Sequence, residues 1–455
     1  MNTSKKLSYL AVLIGSILLT GCGDAETNIV EQDPIVGEDD DDHDHSDDEY
    51  AIESLGRLSV LDADSNALAI YDLDDGDLLD SFSATYSGSA LSSSAGYRYA
   101  VLASRSNDLV EFVDGGLWQE DHVEHLHDYA QAPAMSDFIL TGSLPTHVVT
   151  HDGQMAVFFD GDAESSQVSS VTVLSDTNIA AQSDTLPTLT FDVNMHGVAK
   201  PVDDMLISTF RRDDSETISA NPILPDSIAI YHLHDGEYEQ EQLFAGECPD
   251  LHGSAVNDDY AVFGCSDGVL ALHAHDEEYE SAKIANTDDL VADARIGTVY
   301  AHHDTDTFFG IATVYGESGA IIMAIDPSHG EMEAVDWEPE TDATPVSYGF
   351  SYDGEHFLIL DDQGYLSVLT AHAHDDHDHW ELTSRVDISD EDLSFMPEGV
   401  SFSMAISQNG HFAYVADPIA GHVLTIDLDD AEVIGDIELG ITPAAISWLG
   451  IPEAH

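Results

Sequence analysis

Basic residues are almost missing from this chain: its 455 residues include 11 Lys and Arg against 89 Asp and Glu, a formal net charge of −78. A surface of that sign repels phosphate backbones, which sets nucleic acid aside as a partner. Such acidity is most often a solubility adaptation, for instance to a salty habitat, and only secondarily concentrates cations around the protein. Cysteine is also scarce, with 3 in the chain. Cys22 directly follows the N-terminal leader; Cys248 and Cys265 lack the CxxC spacing of redox motifs and are too few for a thiolate metal set. Beyond Leu19 no run is apolar enough to cross a bilayer as a helix. Histidine, by contrast, is abundant at 24 residues, and acidity does not account for it.

The leader reads as a lipoprotein signal. Lys5 and Lys6 precede an apolar stretch, Leu7 to Leu19, which ends at Leu19-Thr20-Gly21-Cys22. Small residues before the cysteine admit the signal peptidase, so residues 1–21 are expected to be removed and Cys22 to carry a lipid. Gly23 rather than Asp after the cysteine leans towards the outer membrane, facing the periplasm or the cell surface. In that oxidising compartment the remaining pair, Cys248 and Cys265, is expected to form a disulfide, contributing about 3 kcal/mol in the chain-entropy model. Residues 22–50, with Glu38 to Glu49 almost wholly Asp, Glu and His, have too little apolar content to fold and read as a disordered tether.

After Tyr50 the pattern changes to short alternating apolar runs between Asp-Gly, Asn-Gly and Asp-Asp turns, so residues 51–455 read as one all-β domain. Internal repeats choose the fold. Gly410-His-Phe-Ala-Tyr-Val-Ala-Asp417, His422 to Asp427 and Asp430 to Ile437 repeat the three strands of Gly56 to Asp64, Ala67 to Asp72 and Gly76 to Phe82. The C-terminal copy has an extra first strand, Ser401 to Ser407; the N-terminal copy lacks it, but the chain ends in a strand of that type, Thr442 to Trp448. This predicts a β-propeller whose C-terminal strand closes the N-terminal blade and removes the exposed edge. Inner strands beginning near Ser89, Thr146, Met195, Leu251, Gly297, Val346, Ser401 and Pro443 give eight blades, with seven as the alternative count. The repeat resembles the YVTN-type propellers, best at Ala413 to Asp417 and Gly440 to Pro443.

Aligning the inner strands puts His147, His196 and His252 at one equivalent position in three consecutive blades. Innermost strands line the propeller channel, so these imidazoles are expected to converge near one mouth, as a zinc site leaving a fourth position for water, a carboxylate or another His. A second cluster, Glu120 to Tyr129, carries His122, His125 and His127, which can serve the channel site from a mouth-side loop or form a site of their own. The tracts with His43 and His45, and with His372, His374, His377 and His379, are rich in carboxylates and suit low-affinity metal capture. His151, His302, His303 and His411 align with no other ligand and read as ordinary surface or core residues.

Together, the Trp118 to His127 loop, Thr146-His-Val-Val-Thr-His-Asp-Gly153, Phe158-Phe-Asp-Gly161, Asn194-Met-His-Gly197, Cys248-Pro-Asp-Leu-His-Gly253 and Phe263-Gly-Cys-Ser-Asp-Gly268 resemble the AztD-type periplasmic zinc metallochaperones over most of residues 55–455. The resemblance implies a propeller that binds zinc tightly through His147, His196 and His252 and hands it to the solute-binding protein of a zinc ABC transporter, with no bond-making chemistry. Neutral imidazole ligands predict affinity that falls as pH drops through about 6.5. Two rival readings share the same residues: a zinc hydrolase or lyase, since three histidines and an open position also describe catalytic zinc, and an interaction propeller with incidental histidines. Imidazole accepts zinc, copper and nickel alike, so the residues do not choose among them.

Overall fold

Short runs of β-branched and aromatic residues favour strands because such side chains pack well on a pleated surface. In the computed structural model they form eight four-stranded antiparallel sheets, the blades of a β-propeller. The structure describes residues 28–31, 52–121, 126–213, 224–275, 278–314, 316, 318–374 and 377–453. The leader, Cys22, His43, His45, His122 and His125 lie outside the described residues.

The two chain ends make blade 1. Pro443–Leu449 is its inner strand and pairs antiparallel with Arg57–Asp62, with Trp448 opposite Leu58. The inner strands of blades 2 to 8 are Ala90–Ser93, Pro145–His151, Ala199–Val202, Ser254–Val256, Arg295–Tyr300, Pro345–Phe350 and Ser403–Ile406. The eight-blade count and the closure read from the repeats therefore hold, and the seven-blade alternative falls. Each blade buries the middle of its second strand completely, as in Phe357 to Leu360 and Ala413 to Ala416. Neighbouring blades are glued by side chains of both: Phe309 of blade 6 stacks on Phe357 of blade 7 at 3.9 Å, while Trp380 meets it edge-on at 5.0 Å. Burying each such aromatic contributes about 1.5–3 kcal/mol, so the wheel is held mainly by these walls of apolar surface.

Antiparallel order fixes two faces. Every inner strand starts at the same face, here called the front; connections between blades and turns from second to third strand lie there. Turns from first to second and from third to fourth strand lie at the rear.

Within the segment read as a disordered tether, Asn28–Glu31 is a strand. Ile29 and Val30 give it strand propensity, and it pairs with the open edge of a hairpin, Leu117–Asp121 and Leu126–Ala130, with Glu31 opposite His127. That hairpin is inserted between the third and fourth strands of blade 2 and so belongs to the rear face. Trp118 stacks on Tyr129 at 4.9 Å, and the Arg98 guanidinium lies 3.6 Å from the Trp118 ring centre. Ile52 N–H donates to Asp128 Oδ2 at 3.0 Å. Glu31 and Ile52, which flank residues 32–51, are thus both fastened to this one hairpin.

Candidate metal centre

His147 lies on the inner strand of blade 3, opposite Phe158, just past a register shift after Pro145. His196 and His252 sit immediately ahead of their inner strands rather than on them. Local bonds fix both lead-in segments. Buried Met195 donates its N–H to the Asp160 carbonyl at 2.9 Å; His252 N–H donates to the Gly264 carbonyl at 3.0 Å. The disulfide between Cys248 and Cys265 ties the His252 segment to the second strand of blade 5, and Ser266 N–H to the Pro249 carbonyl, at 2.8 Å, closes it further. Gly253 is needed here: its φ is +77°, and a Cβ would stand 2.5 Å from the Gly297 carbonyl oxygen of blade 6.

The three imidazoles converge at the front mouth. His147 Nε2 lies 3.4 Å from His196 Nε2, which lies 3.2 Å from His252 Nε2. All three ligand atoms fall within 4.8 Å of one another. Tetrahedral zinc with Zn–N bonds of 2.0–2.1 Å sets its nitrogens about 3.3 Å apart, so two of the edges already have the length of a zinc coordination sphere.

Hydrogen bonds on the far side of two rings decide which nitrogen is bare. His252 Nδ1 lies 2.7 Å from the Gly297 carbonyl, which only accepts, so Nδ1 carries the proton. His196 Nδ1 lies 2.9 Å from Asp160 Oδ2, and an ionised carboxylate likewise only accepts. The Nε2 atoms of these two rings face each other at 3.2 Å, each ring held from behind at Nδ1, so a cation between them would meet two positioned ligand atoms. Arg105 Nη2 holds Asp160 at 3.0 Å and its Nη1 donates to Thr146 Oγ1, so the same guanidinium steadies the segments bearing His196's partner and His147. Burial, followed by the neighbouring His196, lowers the His147 pKa to about 4. Burial also lowers that of His252, against the opposing pull of the Gly297 hydrogen bond. These two rings are thus neutral at physiological pH, the state in which imidazole is a ligand.

The other histidines singled out in the sequence are elsewhere. His127 is on the blade 2 hairpin at the rear, and the mouth-side loop expected to bring it to the trio is not formed, because the insertion lies between the third and fourth strands. His372 and His379 are exposed on the third and fourth strands of blade 7, directly opposite each other, and the backbone pairs His374 with His377 likewise. His151, His302, His303 and His411 lie at rear turns beside Asp152, Asp304 and Asp353. Asp160, Arg105 and Gly297 were not predicted as site residues. Phe158-Phe-Asp-Gly161 is visible as a motif, but nothing in its spacing places Asp160 under a histidine of the next blade.

Fold and site together define an eight-bladed propeller with a histidine trio at its front mouth. No family model matches the chain. In sequence it is similar to the zinc chaperone AztD of Citrobacter koseri, 26% identical over 216 residues. That match covers 48% of this chain and about half, 48%, of the relative's length. In fold it is similar to the structure of apo AztD from Citrobacter koseri, with TM-score 0.69 and 19% identity over 88% of this chain and 99% of the other. A second crystal structure of Citrobacter koseri AztD gives TM-score 0.68 and 20% identity at the same coverages, 88% and 99%. The likeness to AztD-type zinc chaperones read from the residues is therefore present in both sequence and fold.

Proposed function

We propose that this protein is a zinc chaperone that captures the ion outside the cytoplasm, holds it at His147, His196 and His252, and passes it to the solute-binding protein of a zinc ABC transporter. The observation that carries this reading is the approach of the His196 and His252 Nε2 atoms to 3.2 Å, each ring fixed from behind by an acceptor. Similarity to a zinc chaperone favours zinc over copper or nickel as cargo. Three protein ligands leave one coordination position open, and through it a partner's donor can enter before any histidine leaves. Exchange then proceeds one ligand at a time, without free aquo zinc. His127, His372, His374, His377 and His379 serve as weaker collectors at the rear, and His43, His45, His122 and His125 as further weak collectors.

Export and lipidation at Cys22 complete the reading. Five residues separate Cys22 from the strand beginning at Asn28, a reach of about 20 Å at most. A lipid at Cys22 would hold the rear face towards the membrane and leave the front mouth to a soluble partner.

The test is zinc content and affinity of the chain purified without a His tag, beside the His147→Ala, His196→Ala, His252→Ala triple variant. Tight zinc in the parent and none in the variant is expected, followed by transfer to the transporter's binding protein in a two-protein exchange assay. Absence of tight metal in the parent would sink the reading.

A further inference from the structure

A four-residue motif, His-x-His-Asp, occurs at His232 to Asp235, His273 to Asp276 and His372 to Asp375, and again at His125 to Asp128. The first three complete the third strands of blades 4, 5 and 7, Ser227–His234, Gly268–His275 and Tyr365–His374. The fourth runs into Leu126–Ala130 of the blade 2 hairpin. The three strand ends therefore stand at the rear, as does the strand Leu126–Ala130 that carries His127. Residues two apart on a strand point to the same side, so in blades 4 and 5 the motif aims two imidazoles in one direction. Apolar packing does not ask for histidine there, since His234, His273, His275 and His372 are exposed.

Blade 4 shows what such a pair can do. The His232 and His234 rings lie 4.1 Å apart, centre to centre. From the fourth strand, Glu241 places one carboxylate oxygen 3.5 Å from His232 Nδ1 and 3.6 Å from His234 Nε2. Asp204, in the rear turn of the same blade, holds His232 Nε2 at 2.7 Å. A single oxygen thus sits between nitrogens of two rings, all three within 4.8 Å of one another, and one ring is oriented from behind by a second carboxylate. Two imidazoles and a carboxylate suit a divalent ion of intermediate softness, such as zinc.

We propose that His232, His234 and Glu241 form a second, exposed zinc site on the rear wall of blade 4, separate from the front trio, and that the recurring His-x-His-Asp hairpins make the rear the metal-collecting face. This rests on the reading that the protein handles zinc, but its test is independent of the trio. In the full chain carrying His147→Ala, His196→Ala and His252→Ala, with 13C-labelled histidine, Zn2+ is titrated while ring resonances are followed; His232→Asn and His234→Asn assign the two signals. Both rings are expected to shift together with one half-saturation, which Glu241→Gln raises several-fold and the neighbouring charge-matched control Asp203→Asn leaves unchanged. Independent movement of the two rings, or equal effects of Glu241→Gln and Asp203→Asn, would reduce the cluster to part of a diffuse acidic surface and overturn the proposal. Loss of tight zinc at the front is read on the parent chain, so the two hypotheses fail separately.

Discussion

The front trio and the blade 4 cluster use the same side chain in opposite surroundings. At the front, two of the three rings have their far nitrogen hydrogen-bonded to an acceptor, and burial lowers the pKa of His147 and His252, so these two are neutral and His252 presents a bare Nε2. At the rear, the ring nitrogens of His232 and His234 already have carboxylates as neighbours, and the residues around them are exposed. A metal entering the front meets buried-side ligands fixed in place; one entering the rear meets exposed side chains whose ring nitrogens already lie beside Asp204 and Glu241. Preorganisation, more than the number of histidines, separates a holding site from a collecting one.

The largest break in this comparison comes from removing the front ligands. The His147→Ala, His196→Ala, His252→Ala variant is expected to lose the tight class of zinc outright while keeping weak binding, as read by competition titration against a chelator. His232→Asn with His234→Asn is expected to do the reverse. If both variants weakened tight binding alike, the two regions would not be distinct.

Next in size is Asp160→Asn. Arg105 Nη2 and His196 Nδ1 both bond Asp160 Oδ2, so an amide oxygen kept there still accepts from both but carries no charge to support the ring as a ligand. Zinc affinity is expected to fall about 10–100-fold, the usual cost of a lost orienting partner, with thermal stability changed little. An unchanged affinity would show that the carboxylate's charge does not support His196 as a ligand.

A smaller effect is expected from the disulfide. Cys248→Ser with Cys265→Ser removes a cross-link between residues 17 apart, worth about 3 kcal/mol in the chain-entropy model. Because that link fastens the His252 segment, zinc affinity at the front should drop several-fold while the rear-face ring shifts stay put. Calorimetric unfolding and the two titrations check both halves.

How much of this was legible in the sequence follows from what each feature depends on. The blades were visible because every strand repeats one local pattern, and closure was visible because Thr442 to Trp448 supplies the strand that Gly56 lacks. The convergence of His147, His196 and His252 followed from register alone, since equivalent positions in adjacent blades share a depth in the channel. Asp160 and Gly297 escaped because their partners lie one blade away, 36 and 45 residues distant, with no periodicity to announce them. The hairpin carrying His127 was misplaced for another reason. Its position just before the His147 strand in sequence suggested the front, but the fourth strand of blade 2, Ala134–Thr141, runs the width of the wheel in between. The His-x-His-Asp pairs of blades 4 and 5 were hidden within a composition already rich in both residues.

Protons give the smallest effect at the front and the sharpest contrast between the faces. His147 has its pKa lowered to about 4 when folded, below the ordinary value near 6.5. Below about 6.5 the unfolded chain takes up a proton that the folded chain refuses, so metal-free protein is expected to lose stability steadily as pH falls from 6.5 towards 4, and His147→Ala should flatten that slope. The same shift means that protons compete poorly with zinc for His147 until the pH nears 4, well below the fall near 6.5 expected of ordinary histidines. At the rear the sign reverses: the hydrogen bond that His232 donates to Asp204 raises the His232 pKa, so protons compete there already above its ordinary value. Between pH 7.5 and 6 the rear class should therefore release its zinc while front affinity changes by less than about tenfold. Equilibrium dialysis at the two pH values separates the outcomes: two classes that fade together would mean the front trio is no better shielded from protons than the surface, whereas loss of the rear class alone would place the burial of His147 at the root of the difference.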